Sequence, residues 1–392
     1  MELAENNVNQ ERKKIKSHIS FKSKEHSSEH NKEQNTEEEY DFVAHRQNAK
    51  STNLLETAGH LIKGCLGGGI LGVHESFMKC GLWTSVAATI IFGFYITYCV
   101  HILVKSAQVL CKRLKIPQMS YPDLAENSIE VAPFPSLKKF GKWFRYTVDV
   151  IICLDLFGSC CVYEIIIAKT IQGLVEEGDK DGPISTLRLY LLALLVPVLL
   201  LCMITSLKYL APFTLVADFF IAMTVSVSFV MMVGFFGYWG FGDALRTPVT
   251  LNFPKGVFPN ALKGLMAVMI FITFGLSFWG AFVLVWHYLK RKHPEQNHHI
   301  WERVYRSAFV IVVTVIAIAF PNMGNLMGLI GSFCLSNMGF IFPAIIETLV
   351  VWDNPGLGPL KWRLWKNIFI FCVGVILFLS GTYSNGKALL GL

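Results

Sequence analysis

The sequence predicts an all-α integral membrane protein, and three observations support this fold class. Of its 392 residues, 53% are hydrophobic and only 16% are charged. Apolar runs of about 20 residues, the length that crosses a bilayer as a helix, recur along the chain. Lysine and arginine are concentrated in alternate loops, as expected of a chain that crosses a membrane repeatedly.

The N-terminal residues differ in composition from the rest of the chain. Residues 1–50 contain few apolar side chains and mix Lys, Glu, Asn, Ser and His. Such a segment cannot bury a hydrophobic core. We therefore expect residues 1–50 to form a disordered cytosolic tail and residues 51–392 to form one polytopic transmembrane domain.

The first apolar run is interrupted by glycines. Residues 60–72 read HLIKGCLGGGILG. Each glycine costs about 1 kcal/mol of helix propensity relative to alanine, and unwound backbone inside a bilayer must line protein or a water-filled cavity. A broken span near mid-membrane is typical of a transporter's substrate site. The alternative is close helix packing, because Gly64, Gly68 and Gly72 recur at four-residue spacing.

Nine spans are predicted. They cover residues 57–77, 81–107, 146–172, 186–206, 211–239, 260–288, 305–321, 324–350 and 366–390. Loops on the side of the N-terminus carry most basic residues, including Lys112, Arg113, Lys138, Lys139, Lys290, Arg291, Lys361 and Arg363. The positive-inside rule places this side, with the N-terminus, in the cytosol. The net charge of +7 thus reports orientation in a lipid bilayer, and no nucleic-acid partner is expected.

Three acidic side chains fall inside predicted spans. They are Asp155, Glu164 and Asp218. Ionisable groups in a bilayer are costly, so each is a candidate functional residue. Asp155 and Glu164 are nine residues apart, about 900° around a helix, and should point to opposite faces. At most one of these two can then face a central site, and a structural polar role is the alternative for each acid.

Cysteine and histidine spacing gives no sign of a disulfide framework or a metal site. Most of the ten cysteines lie within or at the ends of apolar runs, where they behave as small apolar residues. No nucleophile with a neighbouring base is apparent. We expect no enzymatic activity, no metal and no organic cofactor.

Five stretches carry a resemblance to a known family. In chain order they read YDFVAHRQNAKSTNLLETAGHLIKGCLGGGILG, HILVKSAQVLCKRL, GSCCVY, GYWGFGD with TLNFP, and IAFPNMGNLMGLIGSF. Together they resemble the proton-coupled amino-acid transporters of the amino acid/auxin permease superfamily, insect members most of all. The resemblance implies a LeuT-type inverted-repeat fold and symport of amino acids with protons. The membrane implied is the plasma membrane or the lysosomal membrane.

The resemblance also implies roles for individual residues. His60 matches the family's proposed proton-coupling histidine, and an unperturbed imidazole pKa of about 6.5 suits that task; capping of a helix end is the alternative. Tyr163 matches a third-helix tyrosine able to hydrogen-bond the substrate, and Glu347 matches a tenth-helix acid. Thr273 and Ser277 are further pocket candidates. An unwound first span would bind the amino acid through main-chain groups, here those of Cys65, Leu66, Gly67, Gly68, Gly69 and Ile70.

The chain departs from this family in its middle. Members have eleven spans, whereas nine are predicted here. TLVADFF resembles the first half of the family's fifth helix, and the residues from Ile221 resemble the seventh. The 211–239 span is therefore interpreted as a fusion that lacks the sixth helix. In the family's fold that helix is the inverted-repeat partner of the first and supplies half of the substrate pocket, so the fold is expected to be incomplete.

Two functions stay open from the sequence. The first is proton-coupled symport of small neutral amino acids, with protons as the coupling ion. The second is a transport-incompetent chain that binds or regulates full-length relatives, which the missing helix favours. Acid-stimulated amino-acid uptake by the 392-residue chain is the observation that separates them.

Overall fold

The structure is a computed structural model that describes residues 73–117, 119–175, 184–203, 234–240, 242 and 256–391. Every regular element in these ranges is helical, and no strand occurs among them. The predicted all-α fold class is therefore confirmed. The predicted disordered tail, most of the first span and most of the 211–239 span lie outside the described residues.

Ten α-helices are numbered here within the described ranges. They are α1 (Val73–Cys80), α2 (Leu82–Leu114), α3 (Tyr121–Val131), α4 (Gly141–Val175), α5 (Ile184–Cys202), α6 (Val257–Leu289), α7 (His298–Ala319), α8 (Met323–Ile330), α9 (Phe342–Val351) and α10 (Trp362–Leu390). Residues 234–240 are also helical. Seven of the predicted spans coincide with α2, α4, α5, α6, α7, the α8–α9 segment and α10.

Five helical segments of the described chain are long and apolar enough to cross a membrane. They are Leu82–Leu114, Lys138–Val175, Pro259–Lys292, Met323–Val351 and Pro359–Leu390. α5 falls short because its apolar part, Leu187–Cys202, is shorter. α7 carries Glu302, Arg303 and Arg306 in its first half. A multi-pass membrane protein is thus confirmed, while the count of nine spans stays a prediction.

Helix boundaries in this bundle follow from local chemistry. Gly81 separates α1 from α2 with a φ of 83°, a backbone conformation that costs glycine little and other residues more. Ser120 caps α3 by accepting a hydrogen bond from the Asp123 amide at 3.3 Å. Asn322 caps α8 in the same way, accepting from the Asn325 amide at 3.2 Å. Both caps satisfy amides that the first turn of a helix leaves unpaired.

α4 is the central helix of the described bundle. It packs against α3, α5, α6, α7 and α8, and its residues 160–168 are all buried. On α6, Phe274, Phe278 and Phe282 recur every fourth residue, so their rings share one face of the helix. Successive rings stack with centroids 6.2 and 6.0 Å apart. The middle of α4 is therefore shielded by large aromatic side chains.

The segment between α8 and α9 departs from α-helical geometry. Its backbone forms π-helical turns at Gly331–Leu335 and Asn337–Ile341, a wider helix that often marks functional sites. Tyr121 of α3 donates a hydrogen bond to the Met338 carbonyl there at 2.7 Å. Burial raises the pKa of Tyr121, so its hydroxyl keeps the proton that makes this bond. The bond fixes α3, which precedes α4, against the π-helical segment.

Candidate functional site

Much of the predicted substrate site lies outside the described residues. This applies to His60, to the main-chain groups of residues 65–70 and to Asp218. α1, however, follows the glycine stretch directly in the chain. The contacts of α1 therefore identify the elements next to one end of the predicted site.

A polar cluster joins α1 to the start of α8. The Lys79 ammonium lies 2.9 Å from a carboxylate oxygen of Glu75, one turn earlier. The same ammonium donates a hydrogen bond to the Asn325 side-chain oxygen at 3.2 Å. A Cβ atom at Gly324 would overlap the Glu75 carboxylate, so the present position of that carboxylate depends on glycine at position 324. The start of a helix also favours a negative charge beside it.

The apolar side of α1 faces the helix at residues 234–240. Phe77 is buried, and a Cβ atom at Gly234 would lie 2.6 Å from its ring. At the start of α2, Trp83 meets Phe235 edge to face with centroids 6.0 Å apart. α1 therefore contacts both α8 and the helix at 234–240.

Three of the predicted site residues lie on α4. Glu164 is 0% exposed and Tyr163 is buried, whereas Asp155 is half-buried. The Thr314 hydroxyl of α7 donates a hydrogen bond to Glu164 Oε1 at 3.0 Å. Glu164 is thus directed at α7, and it is more deeply buried than Asp155.

Thr273 and Ser277 form a narrow polar strip on α6. They are four residues apart and half-buried. The Thr273 hydroxyl donates to the Met269 carbonyl of its own helix at 2.9 Å. Each of the two residues precedes a buried phenylalanine, so the strip lies about 100° around the helix from the stacked rings. The strip therefore borders the aromatic core.

Glu347 is engaged in an ion pair between α9 and α10. Its two carboxylate oxygens accept hydrogen bonds from the Lys366 ammonium at 2.9 and 2.7 Å. That ammonium also lies 5.4 Å from the ring centroid of Tyr98 on α2. Beside the pair, the Asn367 amide donates to the Thr348 hydroxyl at 3.0 Å. Glu347 thus has a structural contact where the resemblance implies a functional acid.

Sequence reasoning missed the α1–α8 cluster and the partner of Glu164. Glu75 and Lys79 are four residues apart, a spacing that pairs opposite charges on one helix face, so that signal is present in the sequence. Asn325 and Thr314 are far along the chain from the residues they contact. No local pattern marks either of them.

Comparison with known proteins finds relatives over most of the chain. The Drosophila melanogaster protein named "Proton-coupled amino acid transporter-like protein pathetic" is 29% identical over 418 residues, covering 89% of this chain and 88% of that protein. The Caenorhabditis elegans protein named "Probable amino acid transporter skat-1" is 21% identical over 409 residues, covering 84% of this chain and 88% of that protein. Both alignments are longer than the 392-residue chain, so both relatives contain residues with no counterpart here.

The family match consists of two segments. Residues 50–231 and 220–385 match the family described as "Transmembrane amino acid transporter protein". The segments overlap at residues 220–231, around the junction that the sequence predicts near Ile221. Together they cover most of the chain and confirm the resemblance seen in its motifs. The chain therefore belongs to the transmembrane amino acid transporter family.

Proposed function

We propose that this chain performs proton-coupled symport of small neutral amino acids. Family membership, together with a relative named as proton-coupled, is the observation that carries the proposal. In this proposal the main-chain groups of residues 65–70 bind the amino acid, and His60 binds and releases the coupling proton. The proton is the coupling ion, no organic cofactor or metal takes part, and the chain acts as a transporter and not as an enzyme.

The energetics of such coupling are favourable. One proton moving down about 60 mV gains roughly 1.4 kcal/mol, at about 2.3 kcal/mol per 100 mV. One unit of pH difference adds about 1.4 kcal/mol. Since each 1.4 kcal/mol corresponds to a tenfold ratio, one proton per amino acid supports roughly hundredfold accumulation.

The contacts of α1 among the described residues support the proposal that α1 moves during transport, beside the proposed site. α1 meets α8 through the polar contacts of Glu75 and Lys79, and its buried side chains are His74 and Phe77. The extensive apolar core instead joins α4, α5, α6, α7 and α8. Among the described residues, α1 has fewer buried side chains than α4, and an element with fewer buried contacts opens at a lower free energy.

The arrangement of basic residues supports a cytosolic N-terminus. Tyr288 near the end of α6 donates a hydrogen bond to Asp149 near the start of α4, so these two helix ends are neighbours. Basic residues flank both ends, at Lys138–Lys139 and at Lys290–Lys292. Such clusters favour the cytosolic side. We place the chain in the plasma membrane or the lysosomal membrane.

Uptake by the purified chain in liposomes tests the proposal. With an inward proton gradient, the wild-type chain should accumulate a small neutral amino acid, and acidification should stimulate uptake. His60→Ala should abolish this stimulation because it removes the imidazole beside the glycine stretch. His299→Ala is the matched control, since His299 is exposed at the start of α7. Acid stimulation that persists unchanged in a normally inserted His60→Ala chain would contradict the role given to His60.

A second function is supported by the alignments that exceed the length of the chain. If the residues without counterpart include the sixth helix, the chain binds or regulates a full-length relative without transporting. Co-expression should then change the uptake of that relative, while the chain alone produces none. Equal uptake by the relative with and without this chain would argue against the second function.

A further inference from the structure

Glu164 is a buried acid to which the proposed symport so far gives no role. It lies on α4, is 0% exposed and is surrounded by the apolar core of α4, α5, α6 and α7. The Cys161 thiol, three residues earlier, contacts the Val313 carbonyl of α7 at 3.5 Å. Helices α4 and α7 are therefore tightly packed at the level of the carboxyl group.

The carboxyl group of Glu164 is incompletely satisfied. Its Oε1 accepts the hydrogen bond from Thr314, and its Oε2 is buried with no hydrogen-bond partner in the part of the chain that the structure describes. A buried polar atom without a partner is uncommon and calls for an explanation.

No cationic side chain of the described ranges forms an ion pair with Glu164. The guanidinium of Arg306, two turns before Thr314, is occupied by Glu302 at 2.8 Å and by the Cys202 carbonyl at 3.0 Å. α6 packs the rings of Phe274 and Phe278 into this core. Other titratable groups of α4 and α5 in this core are the thiols of Cys160, Cys161 and Cys202 and the phenols of Tyr163 and Tyr190.

A proton is the ligand that fits this site. The charge of a carboxylate in apolar surroundings must be balanced by a proton or by a cation. A metal cation would need several oxygen ligands, whereas the described residues offer one carboxyl group and one hydroxyl group. We propose that Glu164 is a second proton-binding site, which takes up a proton on Oε2 and releases it during the transport cycle. This inference rests on the proposed proton-coupled function.

A route for the proton follows from the ends of the neighbouring helices. Thr314 lies five residues before the end of α7 at Ala319, about 7.5 Å along the axis. α8, which begins four residues later at Met323, packs on α4 and is bonded to α1 through Lys79 and Asn325. Movement of α1 and α8 away from α4 would admit water toward Glu164 from the side where α7 ends.

Transport coupling provides the first test. Glu164→Gln keeps the volume of the side chain and an acceptor for Thr314 but no longer binds a proton. In liposomes, amino-acid exchange should stay within twofold of wild type, while proton influx per amino acid should fall at least twofold. Glu164→Asp should retain the coupled proton influx, and Glu295→Gln, at an exposed cytosolic position, should behave as wild type. Unchanged proton influx per amino acid in Glu164→Gln would overturn the proposal.

Infrared difference spectroscopy provides a test that needs no transport. The purified wild-type chain, recorded between acidic and alkaline pH, should show a carboxyl C=O band that Glu164→Gln lacks and Glu295→Gln retains. If the wild-type chain shows the band but does not transport, the proton site stands and the symport proposal fails. Identical difference spectra for wild type and Glu164→Gln would overturn the proton site, whatever the transport result.

Discussion

Glu347 and Glu164 both lie in apolar helices. Of these two acids, only Glu347 has a cationic partner among the described residues. The Glu347–Lys366 pair is mostly buried, with side-chain exposures of 12% and 15%. Attraction between charges is stronger where water is largely excluded, but so is the cost of leaving one charge alone. Glu347 is therefore expected to contribute to stability through the pair, whereas Glu164 is available for proton exchange.

Removing Lys366 should expose the cost of an unpaired carboxylate. Lys366→Met preserves most of the side-chain volume but leaves Glu347 without its partner, and breaking a buried pair in this way costs about 3 kcal/mol. We expect a lower thermal unfolding midpoint in detergent for Lys366→Met. The exchanged pair Glu347→Lys with Lys366→Glu should recover part of the loss. Lys387→Met, at an exposed position in the last turn of α10, is the matched control, and an equal midpoint for both methionine variants would refute the argument.

At the scale of elements, the contact between α1 and α8 depends on a glycine, Gly324. Gly324 leaves the space that the Glu75 carboxylate occupies. Lys79 then bonds to both Glu75 and Asn325. The Glu75 carboxylate and the Lys79 ammonium together connect α1, which follows the glycine stretch, to α8.

Gly324→Ala should weaken the contact between α1 and α8. The added methyl group overlaps the Glu75 carboxylate, so that carboxylate must turn away and lose its contact with Lys79, and an ion pair of this kind contributes about 0.5 kcal/mol. The thermal unfolding midpoint should therefore fall. Glu75→Ala removes the group that the methyl meets, so Gly324→Ala should have a much smaller effect in that background. Equal effects in both backgrounds would show that the two residues do not meet.

The sequence predicts helices well where length and hydrophobicity define them. α6 spans Val257–Leu289, close to the predicted 260–288. The sequence predicts helix boundaries less well where a helix continues beyond its apolar run. α2 extends to Leu114, past the predicted 107, because lysine and arginine support helix in its last turns as readily as apolar residues do. The partners of Glu164, Lys79 and Glu347 could not be predicted, because contacts between distant residues depend on how the helices pack.

At the scale of the whole molecule, the directions of α5, α6 and α7 constrain the connection between α5 and α6. The end of α6 lies beside the start of α7, where the Trp286 and His298 rings are 5.9 Å apart. The end of α5 lies beside the first half of α7, where Arg306 donates to the Cys202 carbonyl. α5 and α6 therefore run in the same direction through the bundle. We expect the chain between Met203 and Gly256 to cross the membrane an odd number of times.

The 211–239 segment is long enough for one such crossing but not for three. Its 29 residues, counted inclusively along the sequence, extend about 44 Å as a helix at 1.5 Å per residue, against a hydrocarbon core about 30 Å thick. One crossing keeps every later loop on its predicted side. The resemblance then implies a glycine stretch, Gly67–Gly69, without its partner, the sixth helix. Without that partner, each backbone N–H or C=O group of an unwound segment that has no hydrogen bond destabilises the folded protein.

Adding the segment that the resemblance implies between the fifth and seventh helices should therefore change both stability and transport. A variant that carries the fifth-to-seventh-helix region of a full-length relative in place of residues 211–239 should unfold at a higher temperature than the 392-residue chain. Its midpoint should rise further when a small neutral amino acid is added, since a ligand stabilises the folded state that binds it. The 392-residue chain should show a smaller rise in its midpoint and slower uptake than the restored variant. Saturable, proton-driven uptake by the 392-residue chain at the rate of the restored variant would contradict this prediction, because it would show that one crossing at 211–239 suffices to complete the substrate site.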